Sequence, residues 1–410
     1  MLPAIITDEP HGPIQQFEAD LSYLDDYLNQ QTRPHILVAS ASNFGWKGFS
    51  TQTINLYTDN GRDLLELIRM QETLTIVVTG EMSHCTADKD AAVALLNPAD
   101  KDKLAISQRM TTLRSNPARR APEVISPIFH GQSLSLFHEE SKGSFGVYLT
   151  PVDKGLGEVV YALTAAHVLP TDLSQATVER RIITPGGLDI LTKLGEICNS
   201  KKNREDDLGF FLRRWNESCG EVFGRHIGTN SEGWRSDWAL CRLAQEWQGE
   251  NGTWFLPGEM AELSHATGGV PVSFTGSNGI VSNSDPLSGY VCYKDGATTG
   301  ATSGIVGQTE GVMFIKGTAN HPEEDTPSDS IVKAKILILH PVTGPKPLCA
   351  SGDSGSAIFY PIPEKDAWTW VGQLVSLCHK HDRSIGFIVP QSQILRSLED
   401  HTGRTWRLAG

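Results

Sequence analysis

After residue 128 the sequence breaks into short runs of β-branched and aromatic residues, separated by turns that contain glycine. The runs fall at 133–137, 144–149, 159–163, 272–275, 290–293, 304–307, 312–316, 332–340, 357–360, 371–377 and 386–389. Runs this short cannot bury a helix face. With turns between them, they can pair as antiparallel strands and close into a sandwich or barrels. This texture therefore sets the fold class as mainly β. One charged, partly helical stretch at about 200–216 interrupts it. A helix is expected at about 391–399, where Ile394, Leu395 and Leu398 form an apolar stripe.

The first part of the chain reads differently. Phe17, Leu21, Leu24 and Leu28 recur at helical spacing, so 16–30 is expected to be an amphipathic helix. Strands are expected at 35–40, 53–58 and 74–79, and helices at 62–70, 87–96 and 100–114. The stretch 115–122 combines two prolines, small residues and Arg119-Arg120, and reads as a solvated linker. The expected division is a smaller α/β domain over 1–125, of unassigned role, and a β domain over 126–410. The adjacent His84 and Cys85 are read as structural.

Composition excludes several classes. The formal net charge of the 410 residues is −13, which argues against a general nucleic-acid binder or an anionic-membrane binder, since both need basic patches. No apolar run approaches the roughly 18 residues of a membrane span. The start of the chain has no basic region and meets Asp8 and Glu9 early, unlike a secretory signal. The seven cysteines are widely spaced, with no Cys-x-x-Cys pair, so neither a disulfide framework nor a zinc site is indicated. Free thiols in a reducing, intracellular and cytoplasmic setting are the expectation. The sequence leaves the oligomeric state open.

The chemistry points to Ala350-Ser351-Gly352-Asp353-Ser354-Gly355-Ser356. A tight loop of this kind can expose a hydroxyl while aiming backbone N–H groups at the point where a tetrahedral oxyanion would form. A serine nucleophile needs a base, and the base needs an orienting acid. His167 follows an apolar strand and two alanines that let the backbone pack closely. Asp237 begins the run Asp237-Trp238-Ala239-Leu240, whose apolar side chains can bury a carboxylate. Asp207 has a similar local pattern but lies in a charged, helix-like stretch, so Asp237 is preferred.

In the order Leu163-Thr164-Ala165-Ala166-His167, Asp237-Trp238-Ala239-Leu240 and Gly352-Asp353-Ser354-Gly355, the chain resembles the trypsin/chymotrypsin-like serine proteases. Two further strings, Leu374-Val375-Ser376-Leu377-Cys378 and Gly386-Phe387-Ile388-Val389, are similar to the family's substrate-lining strand and to the strand before its last helix. The resemblance covers about 130–400. It implies two antiparallel β-barrels, at about 130–245 and 265–390, with the cleft between them. It implies His167, Asp237 and Ser354 as a triad, Gly352 and Ser354 as oxyanion donors, and Leu348, Ser376, Cys378 and Gly386 around the substrate side chain. That pocket is expected to be apolar and narrowed, because Leu348 stands where an acid would select Arg or Lys. The implied substrate is a protein or peptide, and no cofactor is called for.

The chain departs from secreted members at two disulfide positions, held here by Val168 and Ala350. It also lacks the Ile-Val-Gly-Gly start from which an activated N-terminus would come, so Asp353 is expected to have another partner. These departures bring it nearer to disulfide-free intracellular members and fungal trypsin-like proteins. Ser356 replaces the usual second glycine. The Gly/Thr-rich stretch 294–304 lacks the ending and setting of a phosphate loop and is read as a structural hairpin. The competing readings are a silent binding module on a protease fold and a latent protease held off by its N-terminal segment or by the 200–235 insertion.

Overall fold

The computed structural model describes residues 13–16, 21–30, 35–46, 49–58, 76–81, 128, 130–137, 142–152, 159–169, 180–186, 188–190, 217–252, 278–316, 331–342, 347–380 and 383–410. The expected helices at 62–70, 87–96 and 100–114, the linker at 115–122, the strand at 272–275 and the 200–216 insertion lie outside them.

The chain enters through α1 (Ser22–Gln30), followed by β1 (His35–Trp46), β2 (Phe49–Thr58) and β3 (Ile76–Glu81). One sheet then contains β4 (Ser133–Leu136), β5 (Gly143–Ser144), β6 (Tyr148–Pro151), β7 (Tyr161–Thr164), β8 (Arg181–Ile183), β9 (Gly220–Thr229) and β10 (Arg235–Leu243), in the order β6-β7-β10-β9-β8-β4-β5. Its neighbouring strands are antiparallel. The three residues between β5 and β6 close this sheet on itself. Phe145 N–H donates to Gln132 C=O at 2.8 Å, and Gly146 N–H donates to Leu163 C=O at 2.8 Å.

The second sheet holds β11 (Ile280–Asn283), β12 (Val291–Gly296), β13 (Gly300–Lys316), β14 (Ile331–Pro341), β15 (Ala357–Ile362), β16 (Ala367–Lys380) and β17 (Arg383–Pro390). Six of these, β12-β13-β14-β17-β16-β15 and back to β12, form a closed antiparallel ring. β11 lies outside the ring, parallel to β16. Helix α2 (Gln391–Thr402) and β18 (Trp406–Leu408) finish the chain, and β18 pairs with β6 of the first sheet. The architecture is mainly β, as the strand texture indicated, and is the double antiparallel barrel that the resemblance implied.

Alternation along the strands builds two faces of packing at once. In β7, Tyr161 and Leu163 face the core shared by the two barrels, while Ala162 faces the core of barrel one. In β10, Trp238 and Leu240 go to the shared core, and Ala239 and Cys241 to barrel one. In barrel two, Ala357 and Phe359 of β15 face the shared core, and Ile358 and Tyr360 face inward. Strands covered on both faces read as continuous apolar runs for this reason.

Of the segment 1–125, the described parts lie against barrel two. β1 pairs antiparallel with β13 over His35–Ser40, β2 pairs with β1, and β3 runs parallel to β2. Leu24, Tyr27 and Leu28 of α1 share a core with Leu37, Leu56 and Phe314. Lys316 Nζ donates to the carbonyl of Leu28 at 2.7 Å, satisfying an end of that helix.

Candidate functional site

β7 ends at Thr164, and Ala165, Ala166 and Leu169 are fully buried around a single 3-10 turn, Ala166–Val168. Small side chains let this turn sit down on barrel one, while His167 remains about one third exposed, with a side-chain exposure of 34%. β10 pairs directly with β7 and brings Asp237 under the turn. His167 Nδ1 lies 2.8 Å from Asp237 Oδ2, and the His167 main-chain N–H donates to Oδ1 at 3.1 Å. Both carboxylate oxygens are thus engaged, which fixes the position and rotation of the imidazole. Nδ1 is committed to the carboxylate, so Nε2 faces outward.

Asp237 is 5% exposed. Burial alone would raise its carboxyl, but the His167 imidazole, Arg235 and the His167 backbone bond outweigh it and hold it at about 2. Arg235 Nη2 stands 3.7 Å from Oδ2, a cation that the sequence reading did not identify. The rival Asp207 lies outside the described residues.

The loop carrying Ser354 is anchored to the same place. Gly352 and Gly355 both have φ +96°, a backbone region that L side chains rarely adopt. A Cβ on Gly355 would lie 2.4 Å from Ser144 C=O, 2.5 Å from Thr164 Oγ1 and 3.0 Å from Ala165 N. The loop therefore abuts the strand end that delivers His167. Ser144 N–H donates to Ser354 C=O at 2.7 Å, and Ser144 Oγ donates to Gly352 C=O at 2.9 Å. Gly355 N–H and Leu374 C=O pair at 2.8 Å, tying the loop to β16. Among the described residues, the N–H groups of Gly352 and Ser354 carry no hydrogen bond. Ser354 is 8% exposed, and its hydroxyl makes no hydrogen bond to His167.

The residues assigned to a substrate pocket are placed along barrel two. Leu348 is 2% exposed in the barrel core, and its carbonyl accepts from Thr302 Oγ1 at 2.7 Å. Ser376 and Gly386 lie on the paired strands β16 and β17, with Leu377 opposite Gly386 and Cys378 opposite Ile385. A Cβ on Gly386 would stand 2.9 Å from Leu374 Cδ1 and 3.7 Å from Cys349 Sγ. The side chain of Cys378 lies outside the described residues.

Ser144, Arg235, Lys294, Thr298 and Thr299 also shape the site, and the sequence reading gave none of them a role. Lys294 left a trace in the pattern, because it has the same strand parity as Cys292, which faces the barrel core. Ser144 left none. Cys219, Cys241, Cys292 and Cys349 are buried thiols that form no disulfide among the described residues. Among the described residues, no group of three or more His, Cys, Asp or Glu side chains could hold a metal ion, and no helix is long and apolar enough to cross a membrane.

No protein-family model and no curated protein matches this chain. Among solved structures it is similar to a glutamic-acid-specific serine protease, at 15% identity and a TM-score of 0.37 over 68% of this chain and 99% of that one. It is also similar to Thermobifida fusca Protease A, at 14% identity and 0.36 over 69% and 100%. A third is Cellulomonas bogoriensis chymotrypsin, at 12% identity and 0.35 over 69% and 99%.

Proposed function

We propose that this chain is a serine endopeptidase that cleaves peptide bonds through His167, Asp237 and Ser354. The single observation that carries this reading is the anchoring of His167 Nδ1 on a buried, ionised Asp237, beside a glycine loop with two unpartnered N–H groups. A structural histidine would not need a buried carboxylate that holds its ring nitrogen with one oxygen and its main-chain N–H with the other. A structural turn would not need to leave two neighbouring N–H groups open.

In the proposed reaction Ser354 Oγ attacks the substrate carbonyl carbon, and His167 Nε2 takes the hydroxyl proton. The carbonyl oxygen becomes an oxyanion held by the Gly352 and Ser354 N–H groups. Collapse breaks the C–N bond, and His167 gives its proton to the leaving amine. Water then repeats the sequence on the acyl-enzyme, releasing the acid and restoring the Ser354 hydroxyl. Asp237 stays ionised throughout, holding the productive tautomer and stabilising the imidazolium. The Ser354–His167 hydrogen bond forms with substrate bound, as catalytic bonds often tighten only then.

Substrate is a protein or peptide chain. Leu348, Ser376, Cys378 and Gly386 bring no charge to the side-chain pocket, which supports small or medium apolar selectivity. A peptide library in which cleavage follows Arg or Lys would refute that selectivity. The activity itself is tested with a fluorophosphonate probe. The wild-type chain is expected to label on Ser354, and Ser354→Ala not at all. Equal labelling of both would sink the assignment.

A further inference from the structure

β16 passes the loop of Ser354, and its two edges are used differently. One edge pairs with β17 from Gly372 to Lys380. The other pairs with β15 up to Gln373. That second edge then meets the Ser354 loop, since Gly355 N–H donates to Leu374 C=O at 2.8 Å and Leu374 N–H donates to Ser356 C=O at 2.9 Å. Beyond Cys378 the same edge is taken again. His379 is paired with Ser384 of β17 on one side and with Glu81 of β3 on the other, and the pairing with β3 is antiparallel. Between these two contacts, residues 375–378 have no strand partner on this edge among the described residues. An open strand edge is where an extended peptide adds as a further strand, held by main-chain hydrogen bonds.

β3 arrives at that edge with a fixed place and direction. β1 is held on β13, β2 on β1, and β3 on β2 through the pairs Ile54–Ile76, Asn55–Val77 and Leu56–Val78. Tyr57 of β2 is buried and meets the Phe387 ring of β17 edge-on, with centroids 5.7 Å apart. The first segment thus bridges barrel two from β13 round to β16. Because β3 runs antiparallel to β16 and ends at Glu81, the chain leaving it points from His379 toward Leu374 and the Ser354 loop. The open edge is about 13 Å long at about 3.3 Å per residue, the length of Met82-Ser83-His84-Cys85. The next described residue is Ile128, in the core of barrel one, so the chain crosses from one barrel to the other after Glu81.

We infer that the open edge of β16 at 375–378 takes residues 82–85 of the same chain as an added strand, so that the first segment holds the substrate edge in cis and the intact protein is a latent peptidase. The inference rests on Ser354 being the nucleophile. Because β3 delivers these residues directly to the edge, their effective concentration there is on the order of millimolar. A substrate has to displace them, which raises KM. It leaves kcat unchanged, because an edge saturated with substrate no longer holds the competing strand.

The test compares the full wild-type chain with a full-length variant carrying Met82→Pro and Ser83→Pro. Neighbouring residues of a strand turn their N–H groups to opposite edges, so one of the two prolines removes a donor aimed at β16 in either register. KM on a peptide amide should fall about tenfold or more, the change expected when an edge that is about nine parts in ten occupied is opened. The kcat should stay within about twofold. Hydrogen exchange of residues 375–378 should quicken, while that of β1 and β13 should not, which separates loss of the added strand from unfolding of the first segment. Should the proline variant fail to fold, glycine at all four positions 82–85 keeps the chain length and weakens the strand, and KM should fall about threefold or more. A folded variant with wild-type KM and wild-type exchange at 375–378 overturns the proposal. If neither the wild-type chain nor the variant cleaves peptide or labels with a fluorophosphonate, the protease reading fails instead. In that case exchange at 375–378 alone judges the added strand, and unchanged exchange refutes it.

Discussion

A carboxylate buried as deeply as Asp237 keeps its charge only because His167 and Arg235 stand against it. Its carboxyl lies at about 2 in the fold, against an ordinary 3.8, so the unfolded chain takes up the proton first as pH falls. The group therefore adds stability above about pH 4 and loses it as pH drops toward 2, a contribution of about 2 kcal/mol. Asp353 is shifted in the same direction and adds to the same acid limb. Denaturant unfolding of Asp237→Asn at about pH 5 and about pH 2.5 should show a shallower fall in stability than wild type. An equally steep fall would show that the acid limb comes from other groups. The same variant should lose about 10⁴-fold in kcat, because the imidazole no longer holds its tautomer. Gly355→Ala should cost about 2 kcal/mol or more, since φ +96° and the 2.4 Å approach to Ser144 C=O leave no place for a methyl. A melting temperature within about 2 °C of wild type would contradict that.

The strands were legible where alternation or a continuous apolar run marked them, and illegible where packing was mixed. The runs at 304–307 and 312–316 read as two strands but form one, Gly300–Lys316. The polar Gln308-Thr309-Glu310 between them falls where the pairing with β14 shifts register, between Val306 and Glu310. A bulge absorbs residues that a regular strand would reject. β9 (Gly220–Thr229) escaped the sequence reading because its glycines and charged residues alternate poorly, and Phe223 is 42% exposed. The helix expected at 391–399 is Gln391–Thr402, and its Ile394 and Leu398 stripe enters the shared core as expected. Its polar face has a task that periodicity does not reveal. Ser397 Oγ accepts from Trp238 Nε1 at 2.8 Å and contacts Ser236 Oγ at 2.5 Å, locking α2 onto the strand of Asp237. Ser397→Ala would leave the buried indole N–H without its acceptor, at a cost of about 1–3 kcal/mol. Unchanged unfolding in that variant would show that the indole bond adds nothing to the docking of α2.

At the scale of the molecule, the first segment and barrel two are stitched together by backbone pairing. β1 covers the Gly311–Lys316 part of β13, and Phe314 is fully buried under Leu37 and Leu56. A chain beginning at residue 126 would expose that strand edge and that ring, so it should melt lower and aggregate more readily than the full chain. Equal melting temperatures and equal solubility would mean that barrel two does not depend on the segment. The same truncation separates latency from support. A latent enzyme would gain peptidase activity on losing residues 1–125, whereas an enzyme that only leans on the segment would not.

The sequence by itself determined the strand texture, the mainly β class and the order of His167, Asp237 and Ser354, because period-two burial and glycine loops are local properties that a chain writes along its length. The resemblance to trypsin/chymotrypsin-like proteases implied a partner for Asp353 without saying which. Only the tertiary structure decided that the partner is Lys294, 59 residues away in sequence. The same is true of Ser144, 208 residues from the Gly352 carbonyl it holds. Both choices depend on which strands become neighbours when two barrels close. A lysine in a Thr- and Gly-rich turn carries no local mark of the carboxylate it will meet there.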